Sequence, residues 1–195
     1  MSDPLLPQDD GSTPLSDEER EGLKLTYITT RGDLNAAEQQ NILTARTWAF
    51  KRKNTVLTRG YLRDLHKRMY GDVWTWAGTY RKTEKNIGVD PLRIQTDLQE
   101  LLDNVTYWIE NETYLPDEIA TRFHHTLVYI HPYPNGNGRQ ARMAADILLK
   151  KLNQKPFTWG SAHLTNPGET RIRYIAALRA ADGHDIGPLM EFVRS

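Results

Sequence analysis

Cysteine is absent from the 195 residues, which excludes disulfides, thiol catalysis and thiolate metal sites, and suits a reducing compartment. Neither sign of charge is in excess: 25 Lys and Arg stand against 25 Asp and Glu. No global field gathers nucleic acid or an anionic membrane, so neither is expected as a partner and any anion site must be local. Long apolar runs are missing too, none approaching the roughly 20 residues that span a bilayer. The start, Met1-Ser2-Asp3-Pro4, lacks the basic and apolar regions of a signal peptide, and a cytoplasmic setting is expected. No internal repeat or low-complexity segment is found.

The length suits one domain with a short leading tail. Residues 1–16 carry Pro4, Pro7, Gly11 and Pro14 with no apolar period and are expected to be a flexible tail, leaving 17–195 as the domain. Asp17-Glu18-Glu19-Arg20-Glu21 before Gly22 predicts a short helix with Gly22 in a C-cap position. Asp33 is placed as the cap of a second helix running to about Lys51, and Thr58 as the cap of a third with Leu62, Leu65 and Met69 on one face. Between Ala77 and Asp90, Thr79, Tyr80 and Thr83 favour extended backbone around a polar Glu84-Lys85-Asn86, which predicts a small β-hairpin over about 78–90. Helical spacing resumes from Ile94 to Ile109, again after Pro116 at N1, again from Met143 to Leu148, and in two last helices over Glu169–Ala181 and Pro188–Val193. The expected fold class is all-α, a compact helical bundle with one hairpin.

The chemistry concentrates in His131-Pro132-Tyr133-Pro134-Asn135-Gly136-Asn137-Gly138-Arg139-Gln140-Ala141-Arg142, which joins two amphipathic helices. Gly136 and Gly138 permit positive φ and a close backbone approach, so that N–H groups can converge on an anion at the positive end of the following helix. Arg139 and Arg142, three apart on that helix, offer guanidinium forks to phosphate oxygens. His131 has an unperturbed pKa of about 6.5 and can take a proton near neutrality. By itself Asn-Gly-Asn-Gly is also an ordinary tight turn, and a helix opening with two arginines is common at surfaces.

The whole segment resembles the Fic motif: a His, an aromatic two residues on, an acid two further, Gly-Asn-Gly-Arg, and a second Arg three residues later. Every position is met except the acid, which is Asn135. The resemblance runs from about Glu18 through most of the chain. Trp76-Ala77-Gly78, Tyr80-Arg81-Lys82-Thr83 and Ile87-Gly88 look like the family's flap, and Arg173-Tyr174-Ile175, Leu178, Asp182, Pro188-Leu189 and Phe192 like its closing helices. Glu21-Gly22-Leu23, Ile28-Thr29-Thr30-Arg31 and Pro134-Asn135 are similar to the subgroup called mobile mystery protein B.

This resemblance implies an enzyme, a protein adenylyltransferase that moves AMP from ATP to a Ser, Thr or Tyr hydroxyl of a target protein with His131 as base. Gly136, Asn137 and Gly138 would cradle the α- and β-phosphates, Arg139 would hold the β-phosphate and Arg142 the γ-phosphate. Ile87, Gly88, Tyr174 and Asp182 would complete the nucleotide site. The family's acid binds Mg²⁺, so Asn135 is expected to be a weaker, uncharged metal ligand. The family also implies autoinhibition by a Glu that occupies the second arginine. Asp17 to Glu21-Gly22 has the spacing of that motif, with Asp in its Ser/Thr position; Thr106 to Glu110-Asn111 fits the letters but lies in a core helix. Glu21 is taken as the inhibitory residue. A toxin-like setting with an antitoxin or other regulatory partner follows from the subgroup resemblance alone. Two alternatives stay open: a non-catalytic module that binds nucleotide or a partner, and a Fic-type phosphotransferase such as the Doc relatives, whose loop has Ala and Lys where this one has Gly136 and Gly138-Arg139.

His124, seven residues before His131, is expected to be a packed or hydrogen-bonded histidine beneath the site, since no acid stands one helical turn from it. His66, His163 and His184 are isolated in sequence. Trp74, Trp76 and Trp108 are read as core and hairpin anchors, because no basic stripe accompanies them.

Overall fold

The computed structural model describes residues 15–51, 56–161 and 167–195. Most of the expected tail, and His163, lie outside them. Leu15 is buried and Ser16 caps the first helix, so these two residues belong to the domain and not to the tail. The helices run α1 Asp17–Glu21, α2 Arg31–Lys51, α3 Arg59–Tyr70, α4 Ile94–Glu110, α5 Pro116–Ile130, α6 Asn137–Lys151, α7 Pro167–Asp182 and α8 Gly187–Arg194, with a 3-10 turn at Pro91–Arg93 leading into α4.

Local chemistry explains the starts. Ser16 Oγ accepts from the Glu19 N–H while the Glu19 carboxylate accepts from the Ser16 N–H, a closed capping box. Thr58 caps α3 through the Tyr61 N–H. In α2 the cap is Thr30 and not Asp33, which sits three residues inside it and returns its carboxylate to the Thr30 N–H at 3.2 Å. Gly22 closes α1 with an ordinary φ of −69°. Glycine is needed there for space, since a Cβ would come within 2.6 Å of the Trp76 ring.

α5 packs along α6 at the centre, α4 lies against α5, α2 against α3, and α7 against α8. Leu62, Leu65, Met69, Leu98, Phe123, Leu127, Ile147 and Leu148 are buried on the facing sides. Trp74 and Trp76 stack 4.9 Å apart and tie the turn after α3 to α2 and α1: Trp74 Nε1 donates to Glu38 and Trp76 Nε1 to the Glu19 carbonyl.

The expected hairpin over 78–90 does not form; no strand is present among the described residues, and an isolated bridge joins Leu23 to Trp74. The segment is an irregular arm laid over the C-terminal end of α5. Its Arg81 N–H donates to Pro132 O at 2.9 Å and its Val89 N–H to Ile130 O at 3.4 Å, while the Thr83 and Val89 carbonyls accept from the Arg81 guanidinium. Groups that a ladder would pair across the hairpin are thus taken by the end of α5, by the loop after it and by one side chain.

Candidate active site

Between the arm, the 131–136 loop, α6 and α7 lies a cavity of about 770 Å³. Ile87, Gly88, His131, Asn135, Gly136, Asn137, Gly138, Arg139, Arg142, Tyr174 and Asp182 all line it. Glu21 and Glu110 do not; both are exposed, on α1 and at the end of α4.

His131 ends α5 with φ 52°, ψ 60°, in the left-handed region, and is 5% exposed. Its Nδ1 lies 3.3 Å from the Val128 carbonyl, which fits the tautomer protonated on Nδ1 and leaves Nε2 as the basic nitrogen. Burial, then the positive charges of Arg81 and Lys85, lower its pKa to about 4, against the acceptor carbonyl of Val128, so the imidazole is neutral at pH 7.

The loop is rigid by construction. Asn137 braces it: its side chain accepts from the Tyr133 N–H at 2.9 Å and donates to the Tyr133 carbonyl at 2.8 Å. The carboxamide of Asn137 is therefore engaged inside the loop, and what this residue turns to the cavity is main chain. Tyr133 is buried flat against His66, ring centroids 3.7 Å apart. Fully buried His66 accepts from the Gly78 N–H at Nδ1 and donates from Nε2 to the Asn135 carbonyl, both at 3.0 Å. Gly136 has φ +80°, and a Cβ would stand 2.5 Å from the Tyr70 ring. Gly138 is different: it lies within α6, and a Cβ would meet Tyr174 Oη at an ordinary 3.7 Å, so the fold does not demand glycine there. A ligand packed on the first turn of α6 would. The first N–H groups of that helix have no intrahelical partner and face the cavity end of the dipole.

Arg139 and Arg142 part company. Arg139 donates to Glu38 Oε2 at 2.6 Å and stands 5.1 Å over Tyr70; burial opposes its charge, but Tyr70 and Glu38 outweigh it and raise its pKa. Arg142 lies 5.3 Å over Tyr174, with no carboxylate partner among the described residues. The carboxylate at Arg139 is thus that of Glu38, buried in α2, and Arg142, the arginine Glu21 was expected to occupy, has none among the described residues. A lone Glu among the scattered apolar positions of α2 gives no sequence signal. Arg31 and Asn35 from the same helix, and His125, Arg171 and Arg179, also line the cavity and were not anticipated from the sequence. His125 Nε2 lies 2.8 Å from Asp182, and His124 Nε2 lies 3.0 Å from Tyr174 Oη.

A Mg²⁺ ion would find little here from the chain alone. The Asn135 Oδ1 already accepts from the Gly136 N–H at 2.6 Å and faces Arg139 Nη2 at 3.4 Å. One engaged, neutral oxygen beside a guanidinium does not make a dication site, which needs about six oxygens, several of them charged. The expectation of Asn135 as a metal ligand does not fit this geometry.

A buried neutral histidine, a helix N-terminus and two arginines around one cavity define a helical domain with a site suited to an anionic ligand. Residues 56–149 match the model of the Fic/DOC family, and the chain belongs to that family. Over 138 residues it is 30% identical to protein adenylyltransferase fic-1 of Caenorhabditis elegans, covering 67% of this chain and 25% of that protein. Over 145 residues it is 30% identical to protein adenylyltransferase Fic of Culex quinquefasciatus, covering 72% and 28%. The chain spans about a quarter of the length of these curated relatives. In structure it is similar to the N-terminal Fic domain, with bound ADP, of a Bep effector protein from Bartonella quintana, at TM-score 0.69 and 17% identity over 90% of this chain and 94% of that one. The all-helical Fic fold is thereby shown.

Proposed function

We propose that the chain is a protein adenylyltransferase that transfers AMP from ATP to a hydroxyl side chain of a target protein. One observation carries this reading: a neutral His131, the open first turn of α6 and both motif arginines line a single cavity bounded by the arm. Relatives named as adenylyltransferases support it.

The triphosphate lies on the α6 N-terminus, its oxygens taking the main-chain N–H groups at 137–139 and the guanidinium of Arg142. Any Mg²⁺ would come with ATP as part of the substrate, because the 131–142 segment offers it no carboxylate. His131 Nε2 takes the proton of the target hydroxyl as its oxygen bonds to the α-phosphorus; the bond to the bridging α–β oxygen breaks and pyrophosphate leaves. The imidazole needs no prior deprotonation at pH 7; burial first, then Arg81 and Lys85, make it a weak base that acts only on a hydroxyl already in place.

Glu38 restrains this reaction. While its carboxylate holds Arg139, the guanidinium meant for the β-phosphate is engaged, so the restraint acts through the first motif arginine and not through Arg142, the one Glu21 was expected to occupy. Incubating the Glu38→Gln protein with ATP labelled at the α- or γ-phosphate decides the reading. Label from the α-phosphate on protein supports adenylyl transfer, label from the γ-phosphate alone makes the protein a kinase, and neither leaves a nucleotide-binding module.

A further inference from the structure

A buried cation without a carboxylate is costly unless dipoles replace the lost water. Arg81 is buried, 3% exposed, and among the described residues its guanidinium bonds run to main-chain carbonyls, while the carboxylates of Asp90, Glu84 and Glu19 act on it from beyond hydrogen-bond distance. Nε donates to His131 O at 2.6 Å, Nη1 to Thr83 O at 2.9 Å, and Nη2 to Val89 O and, at 3.4 Å, to Ile130 O. Two of these carbonyls close α5 and two belong to the arm. The last carbonyls of a helix lack intrahelical partners and form the negative end of its dipole, a natural seat for a guanidinium. Only a planar fork with five N–H groups reaches four carbonyls at once; an ammonium with three donors on one atom does not.

The same place is tight. Gly88 has φ +108°, and a Cβ there would stand 2.7 Å from both Arg81 Nη2 and the His131 Cβ. The arm therefore rests directly on the base. His131 itself is held in the left-handed region, which an L-residue enters only when its surroundings fix it.

We propose that Arg81 is a positioning residue that locks the main chain of His131 and the arm at 83–89 into one unit, keeping the base in register with a hydroxyl presented along the arm. The inference rests on the reading of His131 as the base. The charges that act on that imidazole are Arg81 and Lys85 from the arm; Arg139 and Arg142 of α6, His125 of α5, and Arg171, Arg179 and Asp182 of α7 line the same cavity.

The test uses the full chain carrying Arg81→Lys, which keeps the charge and loses the fork, and Arg81→Met, which loses both. Hydrogen exchange is read residue by residue, His131 is titrated by NMR, ATP affinity is measured with a fluorescent analogue, and self-labelling from α-labelled ATP gives the rate. In Arg81→Lys, amides of 83–90 and 130–132 should exchange on the order of 10-fold faster while those of α6 keep their protection. The labelling rate should fall on the order of 100-fold, as a misplaced base entails, with ATP affinity within about 2-fold of wild type. In Arg81→Met, the His131 pKa should also rise above about 4, while burial, the larger cause, and Lys85 still hold it below 6.5. Wild-type rate and exchange in Arg81→Lys would overturn the proposal, and so would uniformly faster exchange with an equal loss of ATP affinity, the mark of a merely structural residue. If His131→Ala still transfers label, the base assignment fails, while the exchange of 83–90 still decides whether Arg81 ties the arm to α5.

Discussion

At the scale of single residues the two motif glycines separate fold from function. Gly136 combines φ +80° with a Cβ position 2.5 Å from the Tyr70 ring, so Gly136→Ala should destabilise the domain by about 2 kcal/mol or more, read as a lower urea midpoint. Gly138→Ala has room for its methyl group and should keep the wild-type midpoint, yet place that methyl where phosphate oxygens approach the helix. Its expected signature is weaker ATP binding by titration calorimetry; unchanged affinity would show that the nucleotide does not lie on this turn. His131→Ala should do the opposite, leaving ATP binding intact and lowering the transfer rate by roughly 10²- to 10⁴-fold, because the imidazole acts on the hydroxyl and not on the phosphates. Glu38→Gln keeps an oxygen for Trp74 Nε1, removes the charge opposite Arg139 and should raise the labelling rate. A variant as slow as wild type, beside a fast Glu21→Gly, would return the restraint to α1.

At the scale of elements, α1 is a short helix with a long reach. The Glu19 carboxylate that closes its capping box also holds Lys85 Nζ at 2.5 Å, with side-chain exposures of 13% and 5%, so α1 is pinned to the arm. Glu19→Gln leaves a buried ammonium with a weaker partner and should cost on the order of 3 kcal/mol, about 10 °C in midpoint for a domain of this size. A calorimetric shift of a degree or two would mean that water replaces the carboxylate. The arm also shows where sequence reasoning runs out. α3, α4 and α5 were legible because Leu62, Leu65 and Met69, or Ile119, Phe123 and Leu127, repeat at three and four residues and face the core. β-Propensity at Thr79, Tyr80 and Thr83 pointed to a hairpin, but the Arg81 fork and the end of α5 offered their carbonyls and N–H groups better partners. Spacing likewise named the cavity's motif residues correctly as neighbours, since they share one loop and one helix turn. It pointed to Glu21 ahead of Glu110 and did not raise Glu38, because which carboxylate reaches a guanidinium depends on how α2 crosses α6, which no local pattern records.

At the scale of the whole molecule, three buried histidines in and beneath the site and a partly buried Asp146 on α6 set the response to acid. Burial, as the largest cause, lowers His66 and His124 to about 3 and His131 to about 4, while it raises Asp146 to about 6 against its bonds from Trp159 Nε1 and the Phe157 N–H. For the histidines the folded pKa lies below the unfolded 6.5: their contribution to stability is present above 6.5 and is lost as pH falls toward 4. Asp146 runs the other way, since its folded pKa lies above the unfolded 3.8, and it favours the native state as pH falls below 6. Between pH 6 and 4 unfolding therefore takes up three protons at the histidines and releases one at Asp146, a net uptake near two. Each proton corresponds to about 1.4 kcal/mol per pH unit, so the free energy of unfolding should fall by about 3 kcal/mol for each unit of acidification in that window. Urea titrations at pH 7, 6, 5 and 4.5 measure this slope directly. His66→Gln should flatten it by about one proton, Asp146→Asn should steepen it by as much. A wild-type protein whose stability stays level from pH 6 to 4.5 would mean that these histidines become charged in the folded state, and would remove the basis for a His131 that stays neutral while it waits for its hydroxyl.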